Sequence, residues 1–207
     1  MSRIVVGVTG ASGIILAYRA IDALTRLGHS IELVMTKDAH VTCLEEMGEG
    51  YAGMQFIKNF SEEQQKLIQQ YQPHDVTAKI ASGSYQVYGM LVIPCSMASL
   101  AAISCGLADN LLRRAADVTL KEKRPLVIVP REAPFSEIHL ENMMRLARFG
   151  AIIVPPIPAW YTRPKTLEDV ENFIVSKALD ALKIEIDETC WKGSPRWSGS
   201  WSIRKSL

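Results

Sequence analysis

The residues best suited to chemistry gather in a few short segments. Pro130-Arg131-Glu132-Ala133-Pro134 sets a cation beside a carboxylate between two prolines. An arginine there can hold a phosphate through two donors, and its neighbour can take or give a proton. The alternative is a local ion pair that closes the loop. Thr9-Gly10-Ala11-Ser12-Gly13 combines glycines with small neighbours. Such a turn lets the backbone approach a phosphate while the helix behind it offers free N–H groups. It is not the dinucleotide fingerprint, because the third glycine is missing and Glu32 alone does not restore it. A plain strand–helix turn is the competing explanation.

Pro94-Cys95-Ser96-Met97-Ala98-Ser99 again offers small residues and hydroxyls for close approach to a ligand. No histidine lies near Cys95 in the chain, so packing is favoured over a nucleophilic role. Arg113, Arg114, Lys121, Lys123 and Arg124 alternate with Asp117 and Glu122, the pattern of a solvated helix with ion pairs. Lys121 stands out because Arg114 lies two turns before it on a shared face. Thr36-Lys37-Asp38 leads into a helix whose Glu45 and Glu46 read as a solvated pair. Pro155-Pro156-Ile157-Pro158-Ala159-Trp160-Tyr161 is a stiff, aromatic-tipped loop, and Lys177 is one further cation for a phosphate.

These segments need elements to position them. Ile4–Val8, Ile31–Met35, Met90–Ile93, Pro125–Val129 and Ala151–Val154 read as strands. Helices are expected over Ile14–Leu27 with Gly28 as its C-cap, Asp38–Met47, Ser99–Cys105, Asn110–Glu122, Ser136–Phe149 and Thr166–Leu182. Gly48–Ser84 is polar, with a short helix near Glu62–Gln70. Strands that are apolar throughout belong to a parallel sheet covered on both faces, and the alternation with helices predicts an open doubly wound α/β layer. Ligands in such sheets sit beyond the carboxyl ends of the strands, where every segment above falls. The chemistry therefore points to a phosphorylated, flat ligand and leaves the reaction open.

The chain has 207 residues, 48% hydrophobic and 22% charged, with a formal net charge of +1. That is enough for one domain, and it leaves no long-range field for nucleic acid. No apolar run approaches a bilayer span, and no leader-like stretch opens the chain, so a cytoplasmic protein is expected. Four scattered cysteines and four unpaired histidines offer little to a metal. The expected domain is 1–190, followed by an arm over 191–207 that is either disordered or docked on a neighbouring subunit.

Taken together, these residues resemble the flavin prenyltransferases of the UbiX family. The resemblance rests on Thr9–Gly13, on Pro94-Cys95-Ser96, and most of all on the stretch from Asp109 to Asn142. That stretch holds Arg114-Ala115-Ala116-Asp117-Val118, Leu120-Lys121-Glu122, Pro130–Pro134 and His139-Leu140-Glu141-Asn142-Met143. It implies a flavodoxin-like single-domain fold and a homo-oligomer, by resemblance a dodecamer with sites near subunit contacts. The implied reaction joins dimethylallyl phosphate to reduced FMN, without a metal, and gives prenylated FMN for UbiD-type decarboxylases.

By resemblance, Gly10, Ala11, Ser12, Thr36, Ser96, Met97, Ala98, Ser99 and Arg131 hold the FMN. Lys121, Arg131, Tyr161 and Lys177 bind the isoprenoid phosphate, with Arg114 nearby and Glu46 facing it. Glu132 is the acid/base and Ser12 a proton relay. Lys177 stands where the family generally has arginine, which keeps the charge and loses the planar fork. Trp191 matches a tryptophan lining the isoprene pocket, with Trp197 as its rival. Lys121 and Arg131 are expected to share one cavity at the sheet's rim. The competing readings are an FMN-dependent decarboxylase of the cysteine-decarboxylating group, whose Pro-x-Met-Asn string is absent, a non-catalytic flavin-carrying subunit, and a decarboxylase of hydroxybenzoates.

Overall fold

A computed structural model describes residues 1–187, apart from 52 and 54, together with residue 190. The expected arm, Trp191 and Trp197 lie outside the described residues. In chain order the longer elements are β1 (Arg3–Val8), α1 (Ile14–Arg26), β2 (Ser30–Met35) and α2 (Lys37–Met47). Two short helices, α3 (Gln55–Lys58) and α4 (Glu62–Gln65), precede β3 (Ile68–Tyr71) and β4 (Gly89–Cys95). The rest are α5 (Met97–Ser104), α6 (Leu111–Lys121), β5 (Leu126–Pro130), α7 (Glu137–Arg148), β6 (Ile152–Ile153) and α8 (Leu167–Ala181).

All strand pairings are parallel, in the order β3-β2-β1-β4-β5-β6. Alternate strand residues feed two cores. Ile4, Val6, Val8, Leu33, Leu91 and Val127 pack with α1, α2 and α8 on one face. Val5, Val34, Met90, Val92 and Ile128 pack with α5, α6 and Leu146 of α7 on the other. Burial on both faces explains why β1, β4 and β5 carry no polar alternation. α1 stops where expected: Gly28, at φ 77°, takes the left-handed conformation that ends a helix without penalty.

The sequence misses β3. It spans Ile68–Tyr71, and its first three residues lie in the expected helix near Glu62–Gln70, of which only Glu62–Gln65 is helical. An edge strand needs apolar residues on one side at most, so its pattern is faint. Tyr71 helps to fix it. Its hydroxyl donates to the buried Glu32 carboxylate at 2.6 Å, and the Tyr85 hydroxyl donates to the other oxygen at 2.7 Å. Arg3 completes the set with its Nε 3.1 Å from Glu32. Glu32 is thereby occupied in holding the edge of the sheet, far from the nucleotide-reading role its position suggests. Without β3 the strands follow the flavodoxin order, and the direction in which successive strands are added reverses between β1 and β4.

Candidate active site

A cavity of about 550 Å³ opens at that reversal, lined by Gly10 after β1, Thr36 after β2, and Ser96, Ala98 and Ser99 after β4. Asn110 and Arg113 of α6 close its wall. Three helices begin on this cavity. Thr36, Ser96 and Asn110 are the N-caps of α2, α5 and α6, and their side chains accept from the N–H groups of Ala39, Ser99 and Arg113. Each N-terminus carries a partial positive charge from its aligned peptide dipoles, so the cavity suits an anion. Side-chain charges contribute little net field, because Lys37 and Arg113 are matched by Asp38 and Asp109 on the same wall.

The loops are locked together by one hydroxyl. Thr9 is fully buried; its Oγ1 donates to the Pro94 carbonyl at 2.9 Å and accepts from the Ser96 N–H at 2.7 Å. Gly10 packs so tightly that a Cβ there would stand 2.4 Å from the Asp38 Cβ and 2.9 Å from the Asp38 carbonyl carbon. This close approach, rather than a need for positive φ, is what requires glycine. Cys95 lies beside this loop with its thiol fully buried, and burial pushes its pKa up to about 12. A thiol so raised stays protonated near neutral pH, which agrees with a packing role.

Two expectations for the post-strand loops need correction. The helix behind the glycine turn does not offer free N–H groups, because the Glu46 carboxylate already accepts from Gly13 N at 3.0 Å and from Ile14 N at 3.0 Å. Glu46 thus caps α1, and these two N–H groups are already engaged. The expected loop over Met97–Ser99 is the first turn of α5, with Met97 packed against the second core.

Arg131 and Glu132 follow β5 directly and are exposed. The Arg131 N–H donates to the Cys95 carbonyl at 3.0 Å, which sets it beside the Ser96 end of the cavity. One Glu132 oxygen accepts from the N–H of Ala133. Tyr161 is also exposed, its ring edge-on to Phe173.

The remaining cations sit elsewhere. α6 runs back across the sheet, so Lys121, its last residue, stands at the amino ends of the strands. There Lys121 pairs with Glu122 and lies against Gly83, just ahead of β4. Within one chain Lys121 and Arg131 share no cavity among the described residues, contrary to expectation; the length of an eleven-residue helix separates them. Arg114 donates to the Ala81 carbonyl and pairs with Asp117. Lys177, in the later turns of α8, lies 3.7 Å from Asp180.

Sequence reasoning passed over Asp109, Asn110, Arg113 and His74 as cavity residues. Asn110 carried an available signal, a cap residue opening a helix at a strand's end. His74 could be placed only after 68–71 is recognised as a strand.

The flavoprotein family model matches residues 1–179 of this chain. Flavin prenyltransferase UbiX of Chlamydia trachomatis is 46% identical over 185 residues, which cover 89% of this chain and 94% of that protein. Among solved structures, a dodecameric FMN-dependent UbiX-like decarboxylase from Escherichia coli O157:H7 superposes with a TM-score of 0.83 at 42% identity. It covers 95% of this chain and all of its own. AnUbiX (PadA1), in complex with FMN and dimethylallyl pyrophosphate, matches with a TM-score of 0.83 at 40% identity, over 96% of this chain and 98% of that one.

Proposed function

The chain belongs to the flavoprotein family, among its UbiX flavin prenyltransferases, and on that footing we propose that it transfers a dimethylallyl group from dimethylallyl phosphate to reduced FMN. The product, prenylated FMN, serves a UbiD-type decarboxylase. The observation that carries this reading is the cavity on which α2, α5 and α6 all begin. Its small-residue walls suit a flat ring system, and its three helix N-termini suit a phosphate.

Gly10, Thr36, Ser96, Ala98 and Ser99 are the residues that would hold FMN, with Ala11 and Ser12 on the same turn and Arg131 at the rim. Bound there, the reduced flavin supplies a nucleophilic ring edge. Arg131 and Tyr161 take the phosphate, so that negative charge gathering on the leaving group meets a fixed cation and a hydroxyl. The Tyr161 ring faces the allyl cation left behind. Glu132 receives, at its carboxylate, the proton that the closing ring sheds, and Ser12 relays it.

Inside one chain Lys121 stands a helix length away, Arg114 is engaged by Ala81 and Asp117, and Lys177 lies beside Asp180. They serve the site of a neighbouring copy, whose assembly follows the dodecameric relative. On this reading the site is complete only in the homo-oligomer, and its positive charge comes from more than one subunit.

The test is the mass of the flavin. Protein loaded with FMN, reduced and given dimethylallyl phosphate should yield a flavin heavier by one isoprenyl unit. Glu132→Gln should bind FMN as wild type does and turn over about 100-fold more slowly or worse. An unchanged flavin mass in a folded, FMN-loaded sample, with mono- and diphosphate donors alike, removes prenyl transfer from consideration.

A further inference from the structure

At the opposite rim of the sheet from the flavin cavity, a second hollow of about 450 Å³ lies where α5, α6 and α7 end. The backbone itself closes these three helix ends. Gly106, Lys123 and Gly150 take left-handed conformations, at φ 76°, 58° and 96°. Their N–H groups donate to the carbonyls of Ile103, Leu120 and Ala147. The next residues, Leu107, Arg124 and Ala151, donate to the carbonyls of Ala102, Thr119 and Leu146. Each end is a Schellman motif, so the side-chain cations of the hollow are not needed to cap it.

Those cations are Lys123, Arg145 and Arg148, and among the described residues none of them is ion-paired with a carboxylate. Asp117, the carboxylate on the wall, is held by Arg114 at 2.8 Å. Glu141 lies one turn before Arg145, yet the Arg145 guanidinium turns forward and sits 5.7 Å from the centre of the Phe149 ring. Lys121 also borders the hollow, but its ammonium is paired with Glu122 and lies against Gly83, outside the wall. Each helix end contributes about half a negative charge, so three ends offset about half of three free cations. The hollow stays positive. Lys123 adds to the case, because glycine stands at the two matching left-handed positions and is the residue that suits them. A lysine at the third holds a less favourable backbone and puts its charge on the wall.

We propose that this hollow binds the phosphate or diphosphate group of a small molecule, with Lys123 and Arg148 as its main contacts and the stacked Arg145 and Phe149 beside them. The site is separate from the flavin cavity and does not depend on the prenyl-transfer reading. Inorganic diphosphate and a nucleoside diphosphate share this chemistry. The Phe149 ring, 54% exposed, offers a base a face to stack on, which the inorganic ion cannot use.

Cys105 reports on the hollow. It lines the wall and is exposed, while the other three cysteines are buried. The native assembly is alkylated with iodoacetamide, an uncharged reagent, and the modification is followed by protein mass. Inorganic diphosphate at ten times its Kd should slow the reaction at Cys105 by about 10-fold, whereas sodium chloride at equal ionic strength should not. Lys123→Gly relaxes the backbone while removing a charge, and it should raise the diphosphate concentration needed for protection by about 10-fold, as should Arg148→Gln. ADP separates the two sources: tighter protection by ADP supports a nucleotide site, and equal protection a site for the bare diphosphate group. No protection by either, equal protection by sodium chloride, or protection unchanged in both variants would overturn the proposal. So would a Cys105 that fails to react in the native assembly, since another copy would then cover the hollow. Should Arg148→Gln not fold, Lys123→Gly decides alone.

Discussion

At the scale of single residues, buried polar groups decide what the surrounding structure can do. Glu32 is the plainest case. Two tyrosine hydroxyls and one guanidinium satisfy a carboxylate that only 4% of its surface exposes. Burial and the hydrogen bond to Glu32 push Tyr85 up to about 12, and Tyr71 is raised by the same causes. Both phenols thus stay protonated in the native state at a pH where the unfolded chain has lost those protons. Their contribution is complete below pH about 10 and drains away as pH climbs toward about 12. Tyr85→Phe should cost about 1–3 kcal/mol at neutral pH, since a buried charge loses a donor. It should also flatten part of the alkaline decline. Urea midpoints measured from pH 8 to 12 read both effects, and an undiminished alkaline slope would discount the Tyr85 share. Glu32 was visible in the sequence as an acid on a strand; its three partners, drawn from β1, β3 and the segment before β4, were not.

At the scale of elements, helix beginnings matter more than helix faces. α2, α5 and α6 each start at a cap residue that is also a wall of the cavity, so the chain that ends one strand supplies the binding surface as it turns. These starts were readable because Thr36, Ser96 and Asn110 are cap-forming types placed just past apolar runs or before amphipathic ones. The tightness of the turn after β1 was not. Gly10→Ala forces its new methyl into Asp38, at 2.4 Å from its Cβ, and α2 must give way. Stability should fall by about 1–3 kcal/mol through overpacking. FMN affinity should fall with it, because Thr36 moves with α2. Denaturant unfolding and flavin quenching check the two outcomes. A variant as stable as wild type would show that α2 yields freely and that glycine is not needed there.

At the scale of the whole molecule, the sheet places its cations at two opposite rims. Arg131 lies at the carboxyl ends of the strands and Lys121 at the amino ends, because a helix in a parallel layer runs against its strands. Prenyl transfer that needs both must draw them from different copies. Lys121→Ala and Arg131→Ala should each be nearly inactive alone. Mixed oligomers made by joint refolding or co-expression should recover activity, since some sites then inherit both intact residues. Mixed oligomers as inactive as their parents would show that the two residues act in the same copy or not at all. Among the described residues no helix is long and apolar enough to cross a membrane.

The apolar strands, the starts of α2 and α6 and the run from Asp109 to Asn142 were determined by sequence alone, because local periodicity and residue type carry that information without reference to distant contacts. So was the position of Lys121, had the direction of its helix been followed to the end. The tertiary structure decided the rest: that Glu46 closes α1, that Glu32 gathers Arg3, Tyr71 and Tyr85, and that a polar segment joins the sheet as β3. Each of these depends on a partner tens of residues away, brought close only when the layers pack, and no local pattern encodes such a meeting.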